Sequence, residues 1–292
     1  MKNKAISGKT QVCGVIGDPI EHTMSPVMHN TAFSALGLDY VYVAFRVKSE
    51  ELAGAIKGMR ALNIRGLNVT IPHKVSIIPL LDNLDPLAEK IGAVNTIVNK
   101  NGVLTGYNTD ASGFLQALRD KGFEPKGKKV TILGAGGAAR AISFILAERE
   151  ANLVILNRLE ELDWAEELAR KISRVFGKEV TALELTEANL RMALDKAELL
   201  ANATSVGMSP NTDLTPVPAG LLRPGLVVFD IVYNPIRTRL TREASRAGCE
   251  TVMGLDMLVW QGALAFEMWT GKKAPVDLMK KEAVKVLKSH ED

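Results

Sequence analysis

A short apolar run followed at once by a glycine cluster constrains the fold of this 292-residue chain most strongly. Lys129–Leu133 has the composition of a buried strand, and the next six residues read Gly-x-Gly-x-x-Ala before a periodic apolar helix pattern. In such a strand–turn–helix unit the glycines permit a tight turn and let the backbone approach a pyrophosphate. The cluster therefore predicts a dinucleotide-binding loop made of Gly134, Ala135, Gly136, Gly137 and Ala138.

Strand patterns alternate with helix patterns on both sides of this loop, which predicts an α/β protein. The alternation from Val130 to Met253 fits a doubly wound, Rossmann-type domain, in which Leu226–Tyr233 is expected to be one buried strand. The preceding chain predicts a second α/β unit with a mainly parallel sheet. Two helix patterns after Gly254 match no further strand, so we expect them to return to that first unit. The expected domains are residues 1–110 with 255–292, for the substrate, and residues 111–254, for the dinucleotide.

The residue that reads the cofactor's ribose should stand at the end of the second strand of the dinucleotide domain. An acidic residue there accepts from the 2′-OH of NAD, whereas an arginine suits the 2′-phosphate of NADP. This chain has Asn157-Arg158 at that point, which favours NADP. Glu160 and Glu161 follow closely, so NAD remains an alternative.

A third informative stretch is Asn68-Val69-Thr70-Ile71-Pro72-His73-Lys74. Its β-branched residues suit the end of a strand, and Pro72 suits the first turn of a helix. Asn68, Thr70 and Lys74 would then converge on one point. Lys74 would lie in the first helical turn, where the positive end of the helix dipole disfavours its charged form. The residues alone leave two interpretations of Lys74 open, a proton-exchanging group and an ordinary surface lysine.

Two other strand-to-helix turns carry polar side chains. Ser25 before Pro26 is typical of an N-cap and a first helical position, so Thr23 and Ser25 either cap a helix or bind a ligand. Asp110 near a predicted helix start is stabilised as an anion. There a cap by Thr109 or Asp110 is the simpler interpretation, and a functional carboxylate is the other.

Composition excludes several classes of protein. The net charge is +3 and basic residues are scattered, which argues against a nucleic-acid partner. Cys13 and Cys249 supply neither a disulfide framework nor a metal quartet, and the four histidines, including His290, show no zinc-type spacing, so no metal is expected. Met1–Lys4 precedes no apolar signal segment, and no run of about 18 apolar residues exists. We therefore expect a soluble, cytoplasmic protein that does not bind membranes.

Taken together, the motifs resemble the shikimate dehydrogenase family across essentially the whole chain. The matching segments are Thr23–Pro26, Asn68–Lys74, Gly92–Thr96, Asn108–Asp110, Gly134–Ala138, Asn202–Met208 and Met257–Gln261. Their order and spacing make the resemblance specific.

This resemblance implies NADPH-dependent, reversible reduction of 3-dehydroshikimate to shikimate, on the route to chorismate and the aromatic amino acids. It implies that Lys74 and Asp110 form the catalytic pair at a cleft between the domains. The same two residues would bind the substrate together with Thr23, Ser25, Asn68, Thr70, Asn95, Tyr233 and Gln261. Besides the glycine loop, the cofactor would contact Asn157, Arg158, Thr204, Met208, Ile231 and Gly254.

Two motifs depart from the family pattern. Thr23 replaces a frequent serine, and Leu159 and Leu162 replace a hydroxyl residue and a second arginine of the motif Asn-Arg-Thr-x-x-Arg. NADP is still expected, with NAD as an alternative. Two other functions remain open: a quinate/shikimate dehydrogenase that uses NAD or both cofactors, and a non-catalytic shikimate sensor on the same fold. The sequence leaves both monomer and homodimer open.

Overall fold

A computed structural model describes residues 5–288, so Met1–Lys4 and His290 lie outside the described residues. The chain divides into two compact units: residues up to Ser112 together with those from Val259 onward, and Gly113–Leu258. The substrate and dinucleotide roles predicted for the two domains are not decided by this division and remain predictions. Among the described residues, no helix has the length and apolar composition needed to cross a membrane.

The first unit contains a six-stranded mixed sheet. Its strands are β1 (Gln11–Gly17), β2 (Tyr40–Arg46), β3 (Gly66–Val69), β4 (Asn83–Leu84), β5 (Thr96–Lys100) and β6 (Val103–Tyr107). They lie in the order β2-β1-β3-β5-β6-β4, and only β5 runs antiparallel to its neighbours. The two-residue strand β4 was not predicted, because so short a segment shows no periodicity.

The second unit contains a six-stranded sheet in which every pairing is parallel. Its strands are β7 (Lys129–Leu133), β8 (Asn152–Asn157), β9 (Thr181–Glu184), β10 (Leu199–Asn202), β11 (Val227–Asp230) and β12 (Glu250–Met253). The order β12-β11-β10-β7-β8-β9 is that of dinucleotide-binding domains, with the reversal of strand order between β7 and β10. The predicted Rossmann-type fold is confirmed.

Helices connect and cover both sheets. They are α1 (Ser25–Ala35), α2 (Leu52–Ala61), α3 (Pro86–Ile91), α4 (Thr109–Arg119), α5 (Gly137–Glu148), α6 (Leu162–Phe176), α7 (Glu187–Asp195), α8 (Arg239–Arg246), α9 (Gly254–Thr270) and α10 (Val276–Lys288). The two boundaries between the units lie within helices α4 and α9.

The part of α9 from Val259 onward and helix α10 pack within the first unit through specific contacts. Trp269 of α9 is fully buried, and its Nε1 donates to the carbonyl of Ile97 at 3.0 Å. A side chain at Gly66 would overlap the indole, so this glycine lets the helix approach the sheet closely. α10 packs against α1. These contacts explain why the chain returns to the first unit after the dinucleotide-binding sheet is complete.

The predicted helix after Pro72 is wrong. Residues 71–77 form successive turns, which lead into a 3₁₀ turn at Ile78–Leu80. The carbonyl of Lys74 accepts from the backbone N–H of Val94 at 2.8 Å, while Ile78 donates to Val75 at 3.2 Å. Because the Lys74 carbonyl is hydrogen-bonded to another segment, the regular hydrogen bonds of an α-helix cannot form there. The helix-dipole argument for the charge of Lys74 therefore fails.

The caps predicted at Ser25 and at Thr109 or Asp110 are wrong, whereas Thr23 Oγ1 accepts from the backbone N–H of Ser25, the first residue of α1, at 3.4 Å. Met24 is the N-cap residue of α1 and makes no side-chain cap, whereas Ser25 is already helical. At the start of α4, Asn108 Oδ1 accepts from the backbone N–H of Ala111 at 3.1 Å, which is a capping bond. Neither Thr109 nor Asp110 is therefore needed as the cap.

Candidate active site

Lys74 and Asp110 lie in direct contact in the first unit. Lys74 Nζ is 2.7 Å from Asp110 Oδ2, and the two side chains are 30% and 16% exposed. The segment Ala93–Val94 holds both partners, since Val94 donates to the Lys74 carbonyl and Asn108, at the start of α4, donates to the Ala93 carbonyl at 3.0 Å. The pair is thus fixed by the backbone on both sides but is still accessible to a ligand.

The Asn68 side chain is oriented by a buried hydrogen-bond network. Its Nδ2 donates to the carbonyl of Asn95 at 3.3 Å and to Thr96 Oγ1 at 3.0 Å, while its Oδ1 accepts from the Tyr42 hydroxyl at 2.6 Å. Both amide hydrogens are used in this way. Asn68 can therefore meet a substrate only as an acceptor, through the second lone pair of Oδ1.

Asn95 is oriented in the opposite sense. Its Oδ1 accepts from the backbone N–H of Thr109 at 2.7 Å and lies 3.1 Å from the Thr96 and Thr109 hydroxyl oxygens. The oxygen is surrounded by protein donors, so a bond from Asn95 to a substrate would come from Nδ2. Asn68 and Asn95 thus offer one acceptor and one donor.

Tyr42 is part of this network and was missed by the sequence reasoning. It is fully buried, which raises the pKa of its hydroxyl well above the usual value, and a hydrogen bond with Ser25 opposes that rise. His29 stacks on it with ring centroids 4.3 Å apart, and burial lowers the pKa of His29 to about 3, so the imidazole is neutral. The available signal was a tyrosine in an alternating strand, since a buried hydroxyl needs a partner.

The remaining predicted substrate residues differ in exposure. Ser25 and Gln261 are buried, and Thr23 and Thr70 are half-buried. All four belong to the first unit, whereas Tyr233, 38% exposed, belongs to the second. The structure thus places eight of the nine predicted substrate residues in one unit.

The glycine loop has the shape that a pyrophosphate requires. Gly134 has a φ of +97°, and a side chain there would press on Thr204 and on the carbonyl of Ala203. A Cβ atom added at Gly136 or Gly137 would instead meet no other heavy atom within 4 Å. The first turn of α5 begins there and presents backbone N–H groups. The residues present therefore fit a dinucleotide phosphate.

A second buried network stands at the ends of β10 and β11. Thr204 Oγ1 donates to Asn202 Oδ1 at 2.7 Å, and Asn202 Nδ2 donates to Asp230 Oδ1 at 2.9 Å. Asp230 also accepts from the Thr238 hydroxyl at 2.6 Å and from the Val232 N–H at 3.1 Å. Burial raises the pKa of Asp230 to about 6, against the effect of these hydrogen bonds. Sequence reasoning singled out Thr204 but not the two buried residues that position it.

Three other predicted cofactor residues lie in loops or at element ends of the second unit. A side chain at Gly254, the first residue of α9, would overlap the carbonyl of Ile231, so these two residues are in contact. Met208 is exposed and its backbone N–H donates to Ser205 at 3.1 Å.

Arg158 is exposed but already has an acidic partner. Its Nη2 donates to Glu161 Oε1, and this ion pair raises the pKa of Arg158 and lowers that of Glu161. Asn157 Nδ2 donates to the backbone carbonyl of Glu161 at 2.7 Å. Asn157 thereby fixes the turn that carries both charged residues. Within residues 5–288, no cluster of three or more His, Cys, Asp or Glu side chains is suited to hold a metal ion.

Comparisons with known proteins identify the family. The model of the shikimate dehydrogenase substrate binding domain matches residues 15–97, and that of the shikimate 5′-dehydrogenase C-terminal domain matches residues 254–283. The shikimate dehydrogenase (NADP⁺) of Methanopyrus kandleri is 50% identical over 97% of this chain and 98% of the relative. The chain belongs to the shikimate dehydrogenase family. The predicted family is confirmed.

Two solved structures of family members agree with this chain over nearly its full length. Shikimate 5-dehydrogenase from Listeria monocytogenes, in complex with shikimate and NAD, has a TM-score of 0.92 at 45% identity and covers 95% of this chain and 98% of its own. A shikimate dehydrogenase in complex with NADP⁺ has a TM-score of 0.90 at 43% identity, with 98% of both chains covered. Both dinucleotides are thus found bound to members of this family.

Proposed function

We propose that this chain catalyses the NADPH-dependent, reversible reduction of 3-dehydroshikimate to shikimate, on the route to chorismate and the aromatic amino acids. Membership of a family whose curated relatives are named NADP-dependent confirms the predicted enzyme class, an oxidoreductase acting on a CH–OH group, and the predicted cofactor. The observation that carries the assignment to this chain's own residues is the contact between Lys74 and Asp110 at 2.7 Å.

The residue types of this pair suit the reaction. When bound, NADPH supplies the hydride for the carbonyl carbon. The carbonyl oxygen must gain a proton as its negative charge develops, and the Lys74 ammonium can hydrogen-bond that oxygen, stabilise the charge and donate the proton. Asp110 accepts from Lys74 Nζ and so holds the ammonium group in place. We assign Lys74 as the acid–base residue and Asp110 as its partner.

The polar side chains of the first unit suit a ring with several hydroxyls. Asn68 can accept from one hydroxyl and Asn95 can donate to another, as their hydrogen bonds dictate. Thr23, Ser25, Thr70 and Gln261 complete the proposed set from the same unit, and Tyr233 of the second unit remains a predicted substrate residue. Such a set distinguishes hydroxyl positions, because a buried polar group left without its partner costs about 1–3 kcal/mol.

Initial rates with shikimate and with quinate, each with NADP and with NAD, test this proposal. We expect the highest kcat/KM for shikimate with NADP. A higher kcat/KM for quinate would identify a quinate dehydrogenase instead. Binding of shikimate without turnover under all four conditions would identify a sensor.

Location and oligomeric state remain predictions. The free, buried thiols of Cys13 and Cys249 fit the reducing cytoplasm that the sequence predicts. Sedimentation of the purified protein will distinguish a monomer from the homodimer that the sequence leaves open.

A further inference from the structure

The ion pair of Arg158 and Glu161 occupies the position where the 2′-phosphate of NADP is expected. Arg158 precedes the 3₁₀ turn Leu159–Glu161, which brings the carboxylate back onto the guanidinium. The Arg158 side chain is 65% exposed, whereas that of Glu161 is only 25% exposed. The guanidinium therefore faces solvent but is already hydrogen-bonded on one edge.

The backbone of Glu161 is held firmly near this guanidinium. Its N–H donates to the carbonyl of Arg158 at 3.1 Å, and its own carbonyl accepts from Asn157 Nδ2 at 2.7 Å. Helix α6 begins at the next residue, Leu162. The turn thus keeps the backbone of Glu161 beside Arg158, and its carboxylate can leave the guanidinium only by rotation of the side chain.

The neighbouring residues offer the phosphate little else. Leu159 is exposed and apolar, and Leu162 also lacks a polar side chain. Glu160 also interacts electrostatically with Arg158 and adds a second negative charge to this turn. Arg158 is therefore the group on which a phosphate dianion would depend within this turn.

We propose that Glu161 competes with the 2′-phosphate for Arg158 and so determines how strongly the protein prefers NADP over NAD. The inference rests on the proposed function, because it concerns the cofactor of that reaction. A bound 2′-phosphate has to share or displace the carboxylate and is repelled by it, whereas the 2′-OH of NAD meets no such competitor. Glu161 therefore weakens the binding of NADP selectively.

Glu161→Gln tests this directly, because glutamine keeps the length and a hydrogen-bond acceptor but removes the charge. The matched control is Glu166→Gln, which removes the same charge from helix α6, where Glu166 pairs with Arg170 at 3.4 Å. Dissociation constants for NADPH and NADH are measured by the fluorescence of the reduced nicotinamide. From the usual size of exposed ion pairs and the charge of a phosphate, we expect Glu161→Gln to bind NADPH about fivefold more tightly and NADH about equally well.

Further outcomes separate competition from other roles. The gain should shrink in high salt, which screens exposed charges, and should shrink when Arg158→Ala is combined with Glu161→Gln. Unchanged or weaker NADPH binding in Glu161→Gln would overturn the proposal, since Glu161 would then be neutral or would orient Arg158. An equal gain in NADPH affinity in Glu166→Gln would also overturn the proposal. So would an undiminished gain when Glu161→Gln is introduced into the Arg158→Ala variant. If the unmodified protein oxidises shikimate with NADP but Glu161→Gln binds NADPH with the same dissociation constant as the unmodified protein, only this inference fails. If the unmodified protein binds neither dinucleotide, the proposed function fails as well.

Discussion

A single hydroxyl group, that of Tyr42, decides how Asn68 can meet a substrate. It occupies one lone pair of Asn68 Oδ1 while the two amide hydrogens bond elsewhere. The partners are 26 residues apart in the chain and lie on different strands, so no local pattern predicts their contact. The family motifs predicted Asn68 and Lys74 as site residues because those residues stand in a recognisable stretch. Tyr42 acts only through a neighbour, and its role becomes visible in three dimensions.

Tyr42→Phe should therefore weaken substrate binding more than it slows turnover. Without the hydroxyl, Asn68 loses one of the contacts that orient it, and a lost buried hydrogen bond of about 1–1.5 kcal/mol corresponds to roughly a tenfold rise in KM for shikimate. Steady-state kinetics check the split between KM and kcat. Tyr40→Phe on the same strand is the control, since its hydroxyl makes a long 3.4 Å bond to the Trp269 carbonyl. Equal KM values in both variants would contradict the role given to Tyr42.

At the scale of elements, periodicity predicted where most strands and helices lie, but side-chain bonds decide where they end. The strand expected over Leu226–Tyr233 ends at Asp230. The Asp230 carboxylate accepts a hydrogen bond from the backbone N–H of Val232, and this bond turns the chain away from the sheet's direction. The helix expected after Pro72 fails because Lys74 gives its carbonyl to Val94. Both differences depend on a partner that the local sequence does not reveal.

Two glycine-to-alanine changes should have opposite effects on stability. Gly254 opens α9 directly against the Ile231 carbonyl, so Gly254→Ala forces a backbone shift and should cost about 2–3 kcal/mol. Gly58 lies within α2 with open space around it, so Gly58→Ala should stabilise the protein by about 0.5–1 kcal/mol. Urea denaturation measures both changes. A neutral Gly254→Ala would show that the close approach is not required.

For the whole molecule, the alternation of strands and helices predicted two α/β units and one Rossmann-type sheet. It could not predict the strand order of the first sheet, because β5 alone runs antiparallel to its neighbours and the late helix α9 packs back on β3 and β5. These arrangements depend on contacts between distant segments. The buried Asp230 network is likewise built from separate elements. It affects the stability of the fold.

Asp230 makes the stability of the fold depend on pH. Its folded pKa of about 6 lies above the ordinary carboxyl value, so the folded state holds the proton more tightly than the unfolded state does. The favourable contribution is complete below about pH 4 and is lost as the pH rises through about 6. Asparagine at this position cannot ionise. The free energy of unfolding of Asp230→Asn should therefore rise, relative to that of the unmodified protein, by on the order of 2–3 kcal/mol between pH 4 and pH 7.

Urea denaturation of both proteins across this pH range measures the difference in their free energies of unfolding. Other carboxylates titrate alike in the two proteins and cancel. A difference that does not change with pH would show that folding does not raise the pKa of Asp230.

The most direct test of the whole account is the kinetics of Lys74→Ala. Because a positioned general acid contributes about 10²–10⁴-fold to the rate, we expect kcat for shikimate oxidation to fall by that factor. The dissociation constant for shikimate, measured by calorimetry, should change by less than about threefold, because other side chains hold the ring. Lys57→Ala, at an exposed position of α2, is the control and should keep full activity. Unchanged turnover in Lys74→Ala, or a loss explained entirely by weaker shikimate binding, would contradict the account.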